Sequence, residues 1–279
     1  ARSGIRMSSS ALQEIVALLG CPAAGNPSQY LFERAIEAVG LDWRFVTCDV
    51  AVDDAAAALA GAHALGFRGC LVSGPLREIV PTLVSPSTPS VAFAGAASLL
   101  ELRDGGLVAH MTDGRGIVEA VRAHADPAGR AAVVIGAGAC GRAAALELAV
   151  AGATEVLVCD PDHQRAQSLA DALAATAPAT AVDWLDIVVP AHAAVLVITP
   201  TAAPTGAAVS GLRRNLVVAD ALLAGRPSPL AVHAAAEGCC VVDGIEVHAV
   251  QSTIDFQTLT GIVPDTEMLH EALEEFFSA

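Results

Sequence analysis

Short unbroken apolar runs alternate along this chain with longer stretches of helical period. Runs at 16–19, 43–50, 69–73, 133–135, 155–159, 194–199, 215–220 and 239–242 predict strands, with a weaker one near Ala181. Apolar residues recurring at three- and four-residue intervals predict helices over 30–39, 53–65, 115–124, 139–151, 163–175, 229–237, 248–261 and 265–277. Runs that are apolar at successive positions suit strands buried on both faces, as in parallel sheets. Residues 97–102 and 106–110, joined through Asp104-Gly105, read as a β-hairpin. The alternation predicts an α/β fold of two domains, which the motifs below distinguish as an N-terminal α/β substrate domain and a Rossmann-type dinucleotide-binding domain. Asp126-Pro127-Ala128-Gly129 marks a break before the second. The expected boundaries are 7–113 plus 248–279 for the substrate domain and 114–247 for the nucleotide domain.

The run ending at Ile135 enters Gly136-Ala137-Gly138-Ala139-Cys140-Gly141, followed by an Ala-rich helical stretch. In this pattern the first glycine allows a tight turn, the second lets a pyrophosphate approach the backbone, and the third lets helix and strand pack closely. The helix N-terminus would present its N–H groups to the phosphates. The next apolar run ends at Asp160, where a ribose-binding carboxylate is expected. Asp162 follows two residues later; two carboxylates would repel a 2′-phosphate, so NAD is expected over NADP. Thr199, Pro200 and Thr201 are expected on the adenine and ribose side.

The formal charge of −15 argues against nucleic acid or an anionic membrane as a partner. No apolar run reaches the ~18 residues a membrane span needs, and the seven cysteines show no paired metal spacing. A cytoplasmic location with reduced thiols, no metal, and a monomeric or homodimeric state are expected. The chain contains no lysine; all 15 basic residues are Arg. No step here can therefore use a lysine amine as acid, base or Schiff-base former.

The order of parts resembles the shikimate dehydrogenase family from about Val16 to the C-terminus. The loop Gly136 to Ala143 is similar to that family's Gly-Ala-Gly-Gly-Ala-x-Arg-Ala. Thr112-Asp113-Gly114-x-Gly116 is similar to its Asn-Thr-Asp-Gly-x-Gly, and Asp220 with Pro229-Leu230 to the segment after its fifth nucleotide-domain strand. Asp243-Gly244 with Gln251 resembles its Asp-Gly-x-x-x-x-x-x-Gln segment. The resemblance implies hydride transfer between a nicotinamide cofactor and a small anionic cyclic hydroxy acid of the shikimate or quinate type. It implies a catalytic pair at Arg77 and Asp113, and substrate contacts at Asn26, Ser28, Ser73, Ser98 and Gln251. It places cofactor contacts on the glycine loop and Gly244.

Several of these positions depart from the family's pattern. A Ser becomes Asn26, the strand's Asn becomes Leu71, a second substrate Asn becomes Ser98, the Asn before Thr-Asp becomes Met111, and a Tyr becomes Leu223. The catalytic Lys becomes Arg77. A guanidinium stays protonated in proteins, so Arg77 can orient a substrate or stabilise a developing alkoxide but cannot exchange a proton. The proton would pass to Asp113, to water or to a His, with His110 a candidate carrier. Fewer amides imply a substrate less hydroxylated than shikimate, or bulkier. The alternative is a non-catalytic nucleotide- or metabolite-binding protein on the same scaffold.

Overall fold

The computed structural model describes residues 13–200 and 208–278. Its first sheet contains β1 (Glu14–Gly20), β2 (Trp43–Asp49), β3 (Gly69–Val72), β4 (Leu99–Arg103) and β5 (Gly106–His110), in the order β2-β1-β3-β4-β5. β1 runs parallel to β2 and β3, while β4 and β5 add an antiparallel hairpin. Asp104 and Gly105 both have positive φ, 52° and 80°, as a two-residue hairpin turn requires. Side chains of β1 alternate between two cores. Val16 and Leu18 join Leu31, Phe32, Ala35 and Ile36 of α1 (Ser28–Ala38); Ala17 and Leu19 join Ala55, Leu59 and Ala62 of α2 (Ala55–Ala64).

Two short helices, α3 (Leu76–Leu83) and α4 (Pro89–Ala94), occupy a stretch to which the apolar pattern assigns no element. Pro75 and Pro89 stand at the helix starts, where a missing N–H costs nothing because that group has no intrahelical partner. α3 carries Arg77, which the sequence places in a turn.

After α5 (Asp113–Arg122) the chain builds the second sheet from β6 (Ala131–Ile135), β7 (Glu155–Cys159) and β8 (Ala179–Ala181), linked by α6 (Ala139–Val150) and α7 (His163–Leu173). The short β9 (Ile187–Val188) precedes β10 (Ala193–Ile198) and pairs with β11 (Val209–Ser210). β12 (Val217–Asp220), α8 (Pro229–Ala236) and β13 (Cys240–Val242) complete the sheet in the order β13-β12-β10-β6-β7-β8, all parallel. This is the doubly wound order: from β6 the chain turns to β7 on one side and returns to β10 on the other. Ligands of such sheets bind outside the strand C-termini at that switch point.

α9 (Gly244–Thr260) and α10 (Thr266–Ser278) return to the first sheet. Phe256, Leu259, Leu269 and Leu273 pack with Phe32 and Phe45. α9 starts four residues before the apolar pattern suggests. Asp243, where the sequence ends the preceding strand, is its N-cap: Oδ1 accepts from the N–H groups of Ile245 and Glu246 at 3.0 and 2.9 Å. α5 packs against both α6 and α9, which places these helices between the two sheets. Among the described residues no helix is long and apolar enough to cross a membrane.

Candidate active site

A cavity of about 180 Å³ lies where the C-terminal ends of the parallel strands of both sheets face each other. β3 ends at Val72, Gly74 turns the chain with φ 59°, and α3 then presents Arg77 to the cavity. From the other side β5 runs into Met111-Thr112, and Asp113 is the first residue of α5. The Asp113 carboxylate does not cap its helix. Oδ2 pairs with the Arg77 guanidinium, and Oδ1 accepts from Gln251 Nε2 at 3.0 Å. The Arg77 and Asp113 side chains are 24% and 8% exposed, so water screens the pair only partly.

Behind this pair the Ser98 hydroxyl bonds the Thr112 hydroxyl at 2.9 Å and accepts from the Thr112 N–H at 2.9 Å. Ser98 thus fastens the hairpin to the start of α5, and it also lines the cavity. Asn26 Oδ1 accepts from the Ser28 N–H at 2.9 Å, which shapes the turn into α1 and commits its carbonyl. Asn26 and Ser28 line the cavity, as do Ser73, Leu71 and Leu223. Met111 does not border the cavity. It is buried, and its sulfur accepts from the Arg77 guanidinium at 3.6 Å.

Three buried polar side-chain atoms of residues that line this cavity have no hydrogen-bond partner among the described residues: Ser73 Oγ, Arg77 Nε and Asp255 Oδ1. Leaving a buried polar group unpaired costs about 1–3 kcal/mol, and three around one cavity single it out as the candidate ligand site. Burial, and then the Asp113 charge, push the Asp255 carboxyl up to about 7, against the pull of the Thr112 hydroxyl and Arg77. Burial lowers the pKa of His248, whose Nδ1 lies 2.7 Å from the Gly244 carbonyl oxygen. Burial drives the Cys140 thiol up to about 12, which keeps it protonated and unreactive.

The glycine loop follows β6 at the switch point. Gly136 has φ 102°, and a Cβ on Gly141 would collide with the Gly136 carbonyl oxygen. The first intrahelical bond of α6 runs from Arg142 N–H to Gly138 O at 2.8 Å. The N–H groups of Ala139, Cys140 and Gly141 therefore precede the helical ladder, the arrangement that receives phosphate. Asp160 directly follows β7 and is buried. Its Oδ2 accepts from Ala137 N–H at 2.7 Å and its Oδ1 from Asp162 N–H at 3.0 Å. Asp162 caps α7 by accepting from Gln164 N–H at 3.0 Å. Beyond the loop, Arg142 and Arg165 line a neighbouring pocket with Gln164 and Ser168.

The fold thus gathers Asn26, Ser28, Ser73, Arg77, Ser98, Asp113, Cys140, Pro200 and Gln251 around one cavity. Thr199 is fully buried beneath the glycine loop, near the position a Gly141 side chain would take. Gly244 meets the Leu222 carbonyl so closely that no side chain fits, so backbone packing at the start of α9 requires this glycine. Thr201 lies outside the described residues. His110 is not part of the cavity; its Nε2 lies 3.0 Å from Glu101 Oε2 on the hairpin, and burial lowers its pKa. The pattern reading missed His248, Ser252 and Asp255. All three were accessible to it: positions 248, 251, 252 and 255 share one face of α9 by helical spacing, and an acid on that face is out of place unless it serves the cavity.

The family model described as shikimate / quinate 5-dehydrogenase matches residues 119–213. A shikimate dehydrogenase (NADP(+)) of Natronomonas pharaonis is 34% identical over 264 residues, spanning 93% of this chain and 98% of the relative. The ligand-free structure of the 5-ketofructose reductase of Gluconobacter sp. strain CHM43 superposes with a TM-score of 0.89 at 28% identity, covering 95% of this chain and 99% of that one. A quinate dehydrogenase from Corynebacterium glutamicum in complex with NAD superposes with a TM-score of 0.80 at 25% identity, covering 93% and 98%.

Proposed function

Because this chain belongs to the shikimate dehydrogenase family, we propose that it is a nicotinamide-dependent oxidoreductase acting on a shikimate- or quinate-like cyclic hydroxy acid, with an altered substrate preference. The observation that carries the reading is the convergence of three unpartnered buried atoms, on Ser73, Arg77 and Asp255, in the cavity at the mouth of the glycine loop.

The chain fits a dinucleotide. Gly136 and Gly141 hold a turn that side chains would obstruct, and the first N–H groups of α6 face the position of a pyrophosphate. When bound, the nicotinamide supplies the hydride acceptor. The Arg77 guanidinium, fixed as a cation, stabilises negative charge developing on the substrate oxygen. Asp113, held by Arg77 and Gln251, orients the hydroxyl that reacts. Ser28 and Ser73 bind the far side of the substrate. Leu71 and Leu223, where the family has polar groups, select against a fully hydroxylated ring. Residues 7–113 with 248–279 form the substrate side and 114–247 the nucleotide side, in a monomer or homodimer.

The cofactor reading is NAD over NADP. Asp160 and Asp162 bracket Pro161 at the end of β7, and neither favours a 2′-phosphate. Arg142 and Arg165 in the adjoining pocket are the residues that would oppose this preference.

A second substrate reading, a neutral keto sugar, is favoured by how the cavity's polar groups are committed. Among the described residues Arg77 is the one guanidinium that lines the cavity, and it is taken up by Asp113, which leaves little cationic charge to grip a carboxylate. Initial rates of NAD⁺ and NADP⁺ reduction with shikimate and quinate, beside NADH and NADPH oxidation with 5-ketofructose, separate the two. Turnover of a cyclic acid supports the first reading; turnover of the sugar alone replaces it with the second.

A further inference from the structure

Oxidising a secondary alcohol releases a proton as well as a hydride, and this cavity has no amine to take it. Arg77 is a fixed cation. Asp113 already serves Arg77 and Gln251. Cys140 keeps its proton, and His248 has Nδ1 held on the Gly244 carbonyl. Among the described residues one further titratable group borders the cavity. Asp255 lies one helical turn beyond Gln251 on α9, is 3% exposed, and has an oxygen without a partner.

We propose that Asp255 is the proton acceptor of the oxidation and the proton donor of the reverse reduction. The proposal rests on the dehydrogenase reading above. The substrate O–H bond breaks as its electron pair becomes the second C–O bond. The carbinol C–H pair leaves to the nicotinamide, and the proton forms the O–H of neutral Asp255; reduction reverses each transfer. Asp255 suits the task because burial holds it near neutrality, where a group is present in both forms and exchanges protons efficiently. Asp113 and Thr112 at the start of α5 and Arg77 on α3 face it, with His248 on α9 and Cys140 on α6 around the same cavity. Asp113 raises its proton affinity, and Arg77 and the Thr112 hydroxyl lower it. An Asp255 tuned in this way makes a lysine-free cavity workable.

The test combines a substrate-free titration with kinetics. In the apo protein labelled with carbon-13 aspartate, one carboxyl resonance moves near pH 7 and is missing from Asp255→Asn. With shikimate or quinate as substrate, Asp255→Asn and Asp255→Ser each lower kcat by about 10²–10³-fold with KM changed less than threefold. The limb near pH 7 in the kcat profile disappears in both. A purely structural Asp255 would instead leave that limb in place. Titration of Asp255 in the ordinary aspartate range, or an unchanged limb in both variants, overturns the proposal. Absence of turnover with shikimate and quinate in the unmutated protein counts against the substrate reading instead; the same variants and pH profiles are then read with 5-ketofructose and NADH or NADPH, where Asp255 donates the proton, and an unchanged limb there overturns the proposal.

Discussion

The Arg77 guanidinium and the Asp113 carboxylate form an ion pair inside the cavity, joined from opposite sides by the first turns of α3 and α5. An ion pair so placed holds charge and orientation, but its guanidinium cannot shuttle a proton.

Replacing Arg77 with Lys tests that statement. The amine keeps the charge for Asp113 and can titrate when partly buried. In the otherwise unmutated protein the gain in kcat is expected to stay below about tenfold, because Asp255 already takes the proton. In the Asp255→Asn background the same change is expected to recover about tenfold or more. A double-mutant cycle on kcat reads the difference; strictly additive effects would contradict it.

Gln251 is the second support of Asp113. Removing it in Gln251→Ala strips Oδ1 of its 3.0 Å donor and lets the carboxylate turn. A loss of about 1–2 kcal/mol of stability and a fall of about 10–100-fold in kcat/KM are expected, from thermal melts and steady-state rates. An unchanged kcat/KM would show that Asp113 needs only Arg77.

Asp255 carries a stability cost whose sign is fixed by its environment. Its carboxyl rises from the ordinary 3.8 to about 7 on folding, so the folded state binds the proton more tightly. No cost is felt below pH 3.8. It grows as pH rises between 3.8 and 7, and above that it is constant at up to about 4 kcal/mol. Asp255→Asn is therefore expected to be more stable than the unmutated protein at pH 8 and equal to it at pH 4, by denaturant unfolding at the two values. Equal stability at pH 8 would count against the buried ionised carboxylate.

Asp160 ties the glycine loop to β7 through Ala137 and orders the turn into α7 through Asp162. Asp160→Asn exchanges a charged acceptor for a neutral one, and the loop loosens. Calorimetric titration is expected to show NAD⁺ binding weakened about 10-fold, a loss of the size of a charge-assisted hydrogen bond. If NADP⁺ affinity instead rises while NAD⁺ is unaffected, repulsion of the 2′-phosphate is the main task of Asp160.

Local pattern was enough to reveal most of the frame. β6 and its glycines, the hairpin at Asp104-Gly105, and the parallel strands of the second sheet are encoded by neighbouring residues: β-branched runs, positive-φ turns and helical periods act over a few positions at a time. The match of ordered motifs was enough to bring Arg77, Asp113 and Gln251 forward as one group, and the fold does bring them into contact. Pattern failed where proline stood at helix starts in α3 and α4, because the same residue ends one helix and opens another. It failed at Asp243, whose capping role depends on the backbone that follows.

What only tertiary structure decided was the chemistry around those residues. His110 lies two residues before Thr112, yet its ring is directed to Glu101 and away from the cavity. Asp255, far along the chain from Arg77 and Asp113, ends at the same cavity as both, with one oxygen unpaired among the described residues. Proton affinity depends on burial and on charges a few ångströms away. Those are set by which helices pack together, and no stretch of sequence contains that information by itself.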